Sequence, residues 1–305
     1  MQGFKNPQTI ERALAGIASD RRGGASELAA KALRVFAVAR PHDSLSAARY
    51  RRAVNRLAKR FKTVRPSMSP IRSVVERLMF DFGDDVLELE SAASAYAALR
   101  GMSEGIALEI AAARQRAAEQ FIARFARLKR PMVISYSSGV LTAIGSLRRP
   151  LVTVCESRPL MEGRRTAAVL ERGARAVTVI TESQIGVVMP DCDGVILGCD
   201  SIHPDGSIVN KSGSYLLALA ARDHRRPVIV IGDTYKICGR KRQHTESQAD
   251  SQVWRGRPDK IRVRNEVFEK VPARLIDYVV LENGVFKSGR IRSVWETARK
   301  NRAML

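Results

Sequence analysis

"GVILGCDSIHPDGSIVNKSGSYLLALAA", residues 194–221, is the stretch on which the fold turns. An apolar β-branched run stops at Gly198-Cys199 and meets a carboxylate, Asp200. A short polar hairpin follows, then Asn210-Lys211, then a strongly helical apolar segment. A run of this length, bounded by turn residues, reads as a fully buried strand, and such strands alternate with helices in parallel sheets. In open sheets of that kind, ligands bind beyond the carboxyl ends of the strands, where Asp200 is expected. Asn210-Lys211 is expected just before a helix whose N-terminus offers unpaired N–H groups and positive dipole charge. An acid beside an anion site suits chemistry on a phosphorylated substrate. The plain alternative is a turn-capping Asp and an ordinary Asn-Lys loop.

Working outward, "PMVISYS", "LVTVCES", "AVTVI" and "PVIVIGD" repeat the pattern between helical segments, so residues 131–305 read as βαβ units. "VVLENGVFKSG" reads as a hairpin with its turn at Asn283-Gly284. No GxGxxG follows the first strand, which speaks against a dinucleotide site. Before Pro131 the period is helical throughout. Ile10, Ala13, Leu14 and Ile17 keep 3.6-residue spacing. "GGASELAAKALRVFAVA" places Ser26 at an N-cap, and the long stretch from Ser103 to Leu128 continues the series. The organisation expected is therefore α/β: an all-helical domain over 1–130, then a Rossmann-like domain with a mostly parallel sheet over 131–305.

Composition narrows the class. The 305 residues are 45% hydrophobic, as in a soluble globular protein, and contain no run of about 18 apolar residues. The first twenty residues lack a secretory pattern, so a cytoplasmic protein without membrane contact is expected. Four cysteines without CxxC spacing and four scattered histidines predict neither a disulfide framework nor a metal site; no cofactor is expected, and Cys155 and Cys199 read as buried thiols. The formal charge of +21 attracts polyanions or phosphorylated small molecules. Arg is spread along helices such as "ARQRAAEQFIARFARLKR", which reads as a solvated basic face; contact with RNA or the ribosome through it is the competing reading.

A second cluster lies in "CESRPLMEGRRTAAVLERGA", where Arg158, Arg164 and Arg165 flank the turn into a helix. Guanidinium forks suit bidentate phosphate binding; the alternative is solvated arginines paired with Glu156 and Glu162.

These segments, with "GCDSI–DGSIVNKSGSYLLALAA" and "GDTYKI", resemble the alpha/beta/delta family of translation initiation factor 2B, which includes the ribose-1,5-bisphosphate and methylthioribose-1-phosphate isomerases. "IASDRRGGASELAAKAL" and "RNEVFEKVPARLIDYVVLENG" extend the resemblance over nearly the whole chain. The resemblance implies a helical domain, a Rossmann-like domain, a dimer or higher oligomer, and an interdomain pocket for a phosphorylated sugar or nucleotide. It further implies a catalytic Cys–Asp pair. The Asp matches Asp200, but Ser137 stands at the Cys position. Arg22 and Gly23 match a phosphate-contacting Arg-Gly, and Arg158, Asn210 and Lys211 match ligand-contacting positions; Arg165 completes the expected cationic set.

The substitution at residue 137 divides the function classes. A thiol, with a pKa of roughly 8.5, is a far better proton-transfer group than a serine hydroxyl. The first expectation is thus a sugar-phosphate or nucleotide sensor, or a regulatory subunit, without efficient turnover. The second is an aldose–ketose isomerase in which a protonated Asp200 assists ring opening, with Ser137 or Tyr136 relaying. The third is a basic RNA- or ribosome-binding protein.

Overall fold

The computed structural model describes residues 3–20, 23–65, 68–85, 91–239 and 246–301. It contains two compact units, Met1–Ala112 and Ala113–Asn301. The first is helical: α1 (Pro7–Ser19), α2 (Ala25–Ala37), α3 (Ala47–Phe61), α4 (Ser69–Asp85) and the first turns of α5 (Ala92–Phe125). The expected 3.6-residue stripe supplies its core, with Ile10, Leu14, Ile17, Leu28, Leu33, Phe36, Leu57, Phe61 and Leu78 buried. Ser46 caps α3 through the Arg49 N–H. Ser26 does not cap α2; the helix begins at Ala25, two residues earlier than expected, with Gly24 in the cap position.

The second unit is built on a seven-stranded sheet: β1 (Pro131–Ile134), β2 (Leu151–Cys155), β3 (Ala176–Ile180), β4 (Gly194–Leu197), β7 (Val228–Ile231), β9 (Tyr278–Leu281) and β10 (Gly284–Lys287). Its order is β10-β9-β7-β4-β1-β2-β3, parallel except for β10. Every strand foreseen in the second half is present. The β9–β10 hairpin pairs Leu281 with Gly284, so its loop is Glu282–Asn283, one residue earlier than expected. Gly284, at φ 144°, opens β10 instead of closing the turn, a conformation only glycine adopts freely.

Strand periodicity sorts side chains to two faces. Met132, Ile134, Val195, Leu197, Val228, Val230 and Val279 share one core with α8 (Ile185–Val188), α9 (Ser214–Asp223) and α10 (Ile291–Asn301). Val133, Ile196, Ile229, Ile231 and Val280 share the other with α6 (Ser138–Gly145), α7 (Glu162–Leu170) and the last turns of α5. Those turns bring Phe121, Ile122 and Phe125 onto the sheet. This accounts for the compact units dividing inside α5 instead of at the Lys129-Arg130-Pro131 step, where the hydrophobic period changes. A smaller antiparallel sheet, β5 (Ser201–Ile202), β6 (Ile208–Lys211) and β8 (Phe268–Val271), follows from the polar hairpin after Asp200. Among the described residues no helix is long and apolar enough to cross a membrane.

Candidate functional site

The parallel strands run β3-β2-β1-β4-β7-β9, so the direction of winding reverses between β1 and β4. That reversal splays the connecting segments apart and opens a crevice at the carboxyl edge. The residues following these strands line up there: Glu182 after β3, Glu156 to Arg158 after β2, Ser135 to Ser137 after β1, Asp200 after β4, Asp233 to Lys236 after β7 and Glu282 after β9.

Ser137 and Asp200 flank the reversal. Ser137 is the N-cap of α6, its hydroxyl accepting from the Val140 N–H at 3.4 Å. It packs on the β4 end so closely that a Cβ on Gly198 would lie 2.6 Å from Ser137 Oγ. Asp200 is half-buried two residues later, and its N–H donates to the Val209 carbonyl at 2.8 Å, joining β4 to the small sheet.

The ends of β1 and β2 are tied together. The Ser135 N–H donates to Ser157 Oγ at 2.7 Å, and the Ser157 N–H donates to Glu182 Oε1 at 2.7 Å. Thr166 Oγ1 donates to the Ser135 carbonyl at 2.7 Å. Ser135 and Ser157 hold positive φ values of 64° and 69°, a strained conformation for residues with a Cβ that recurs at ligand-binding turns. Gly163 fits against the β2 end where no other residue would, since its Cβ would stand 1.9 Å from the Cys155 carbonyl oxygen.

Of the cations expected at the site, Arg158 and Arg165 are exposed at the β2–α7 turn. The Arg165 guanidinium lies 3.7 Å from the centre of the Tyr136 ring, a cation–π contact that joins the β2 and β1 loops. Arg158 makes a long contact of 3.5 Å with the Val253 carbonyl. Asn210 and Lys211 lie within β6 and are buried. Asn210 Nδ2 donates to Ser214 Oγ at 2.9 Å, and Lys211 Nζ pairs with Glu162 at 2.9 Å. The α9 N-terminus, expected to be open, is closed: Glu269 Oε1 accepts from the Gly213 and Tyr215 N–H groups at 2.7 and 2.8 Å. In the helical unit the Gly23 N–H donates to Asp20 Oδ1 at 2.8 Å, while Arg22 lies outside the described residues.

One group of residues at this edge escaped the reading of single motifs. Asp233 and Lys236 are buried in the turn after β7. That turn runs against the β4 end: Cys238 N–H donates to the Ile202 carbonyl at 2.8 Å, and a Cβ on Gly232 would lie 3.0 Å from Cys199 Sγ. Burial pushes the Cys199 thiol up to about 12, so it is neutral at pH 7 and no substitute for the missing site thiol. Burial also raises Asp233, reinforced by the negative field of Glu282. Burial would lower Lys236, yet the field of Cys199, Asp233 and Asp200 outweighs it and leaves the ammonium raised. Asp200 adds a smaller share to the negative field on Lys236 than Cys199 and Asp233 do. The signal was available in "GDTYKI": an acid and a lysine three apart, directly after a buried strand.

The initiation factor 2 subunit family model matches residues 21–288. This chain belongs to that family. Members vary in what they are named for. A translation initiation factor eIF-2B subunit 2-like protein of Pyrococcus horikoshii is 34% identical over 155 residues, covering 50% of this chain and 55% of the relative. A methylthioribose-1-phosphate isomerase of Pelotomaculum thermopropionicum is 33% identical over 171 residues, covering 50% and 47%. The chain thus spans about half the length of these curated relatives. Among solved structures, the Pyrococcus horikoshii translation initiation factor eIF-2B superposes with a TM-score of 0.78 at 24% identity, over 93% of this chain and 98% of that one. This last likeness establishes the family fold here.

Proposed function

We propose that this family member binds a phosphorylated sugar or nucleotide at the carboxyl edge of its sheet, beside the ends of β1 and β4, as a sensor or regulatory subunit without efficient turnover. Its active form on this reading is a homodimer or higher oligomer. The observation that carries the proposal is the hydroxyl at the reversal point: Ser137 caps α6 and packs on the end of β4, the strand that leads to Asp200. Opening a sugar ring blocked at its anomeric oxygen requires a proton donor in reach. Ser137, already committed to capping α6, is the weaker member of a proton-transfer pair.

Binding needs less. Arg158 and Arg165 present guanidinium groups beside the strained turns at Ser135 and Ser157. Lys211 contributes to a ligand only when Glu162 gives it up, so on this reading it shapes the site and the two arginines hold the phosphate. A thermal-shift panel of sugar 1-phosphates, sugar bisphosphates and nucleotides tests the proposal. At least one sugar phosphate or nucleotide stabilises the wild type. Arg158→Ala weakens its Kd about tenfold or more, as expected from a charge-assisted bond of roughly 1.5–3 kcal/mol. A panel without any stabilising compound, or an unchanged Kd in both Arg158→Ala and Arg165→Ala, contradicts it.

A further inference from the structure

Between β7 and β8 the chain makes an excursion whose neck is closed by the Gln248 N–H to Asn265 carbonyl bond at 2.9 Å and by bridge pairing of Ser247 with Glu266. Its base is held from within. Asn265, buried, donates to the Ala249 carbonyl and to Gln252 Oε1 at 2.9 and 3.0 Å, and the Trp254 N–H donates to the Asp250 carbonyl at 3.0 Å. Arg257 braces the tip through the Ile261 carbonyl and Asp250. A loop of this length, packed by its own bonds, is a rigid platform of the kind that commonly carries function.

The surface of that platform has a definite chemistry. The segment "VWRGRPDKIRVR", residues 253–264, holds five cations, Arg255, Arg257, Lys260, Arg262 and Arg264, against one acid, Asp259. Arg255, Lys260 and Arg262 are exposed and form no ion pair among the described residues; Arg264 stands only loosely, at 3.9 Å, beside Glu266. Trp254 is 48% exposed, and its indole makes no ring contact among the described residues. A large aromatic surface left in water amid unpaired cations is unfavourable to the chain alone, and it matches what single-stranded nucleic acid needs. The phosphates meet Arg and Lys, and an unstacked base meets a flat ring.

We infer that the 253–264 loop is a binding platform for single-stranded RNA, with Trp254 as the stacking residue and Arg255, Lys260, Arg262 and Arg264 as the phosphate contacts. Most of the remaining positive charge lies dispersed on helices; here it is gathered around an exposed ring on a braced loop. The stacking and phosphate-contacting residues differ from those assigned to the sugar-phosphate site, although the loop touches that site where Arg158 meets the Val253 carbonyl.

Fluorescence anisotropy of the full chain with a labelled twelve-nucleotide oligouridylate, titrated at several salt concentrations, tests it. Trp254→Ala weakens binding about tenfold, within the range for loss of one stacked base, and leaves the salt slope unchanged. Arg255→Ala/Arg262→Ala weakens binding and lowers the log–log salt slope by about 1.4, the loss of two phosphate contacts. All these side chains are exposed, and circular dichroism confirms that the variants fold. Wild type and both variants binding the oligomer equally, or Trp254→Ala having no effect, overturns the inference. Capture of anionic phospholipid vesicles together with failure to bind the oligomer also overturns it.

Discussion

Lys236 is the side chain on which the local electrostatics depend. It is buried in the turn after β7, and the negative field of Cys199, Asp233 and Asp200 outweighs the cost of burying its charge. Lys236→Met therefore destabilises the fold by about 1–3 kcal/mol in urea unfolding. Combining it with Asp200→Asn costs less than the sum, with a coupling energy of about 1 kcal/mol or more. Strictly additive losses would mean that Lys236 and Asp200 do not interact. Asp200 was singled out because it stands just past a buried strand, and Ser137 through the family resemblance; the structure puts them past the ends of β4 and β1. Lys211 was legible as a cation and not as a partnered one, since Glu162 lies 49 residues away in the chain. Such pairings are set by tertiary packing, which a local pattern does not encode.

At the level of elements, local pattern and fold agree where burial is two-sided. The β-branched runs became β1, β2, β4 and β7 because both sheet faces are covered there, so no alternation was needed to specify them, whereas β3 is a largely exposed edge strand. Helix ends were less legible. Gly24 displaced Ser26 at α2, and Glu269 closes α9 from a strand 54 residues beyond Tyr215. Glu269→Ala leaves two partly buried N–H groups without their acceptor and costs about 1–3 kcal/mol in urea unfolding. Glu269→Gln, which keeps an oxygen, costs a fraction of that; equal losses would show that charge alone matters.

The β5–β6 hairpin offers a pH test. Burial opposes ionisation of Asp205, but its bonds from Ser207 and the Lys270 ammonium bring it down to about 2, below its ordinary 3.8. The unfolded chain then binds the proton more readily, so the contribution is complete above pH 3.8 and disappears as pH falls towards 2. Because Asp205 is exposed, solvent screening keeps it below about 1 kcal/mol. Asp205→Asn flattens acid unfolding in that window and leaves stability changes above pH 5 parallel to wild type; an unchanged acid limb contradicts the assignment.

For the molecule as a whole, the helical first half and the mostly parallel second half follow from hydrophobic period, and the likeness to a solved eIF-2B structure agrees with that fold. Relatives named as initiation factor subunits and as isomerases share this architecture, so the fold leaves the choice between binding and turnover to the reversal point. There, a serine that caps α6 packs on the end of the strand that leads to Asp200. The direct measurement is phosphorus and proton NMR of purified wild type and Asp200→Asn, each incubated with ribose 1,5-bisphosphate and with methylthioribose 1-phosphate, alongside calorimetric titration of the same compounds. Saturable binding of a sugar phosphate by both proteins is expected, with a changed affinity in Asp200→Asn and no ketose product from either. Ketose formed by the wild type and lost in Asp200→Asn would contradict this and make the chain an isomerase.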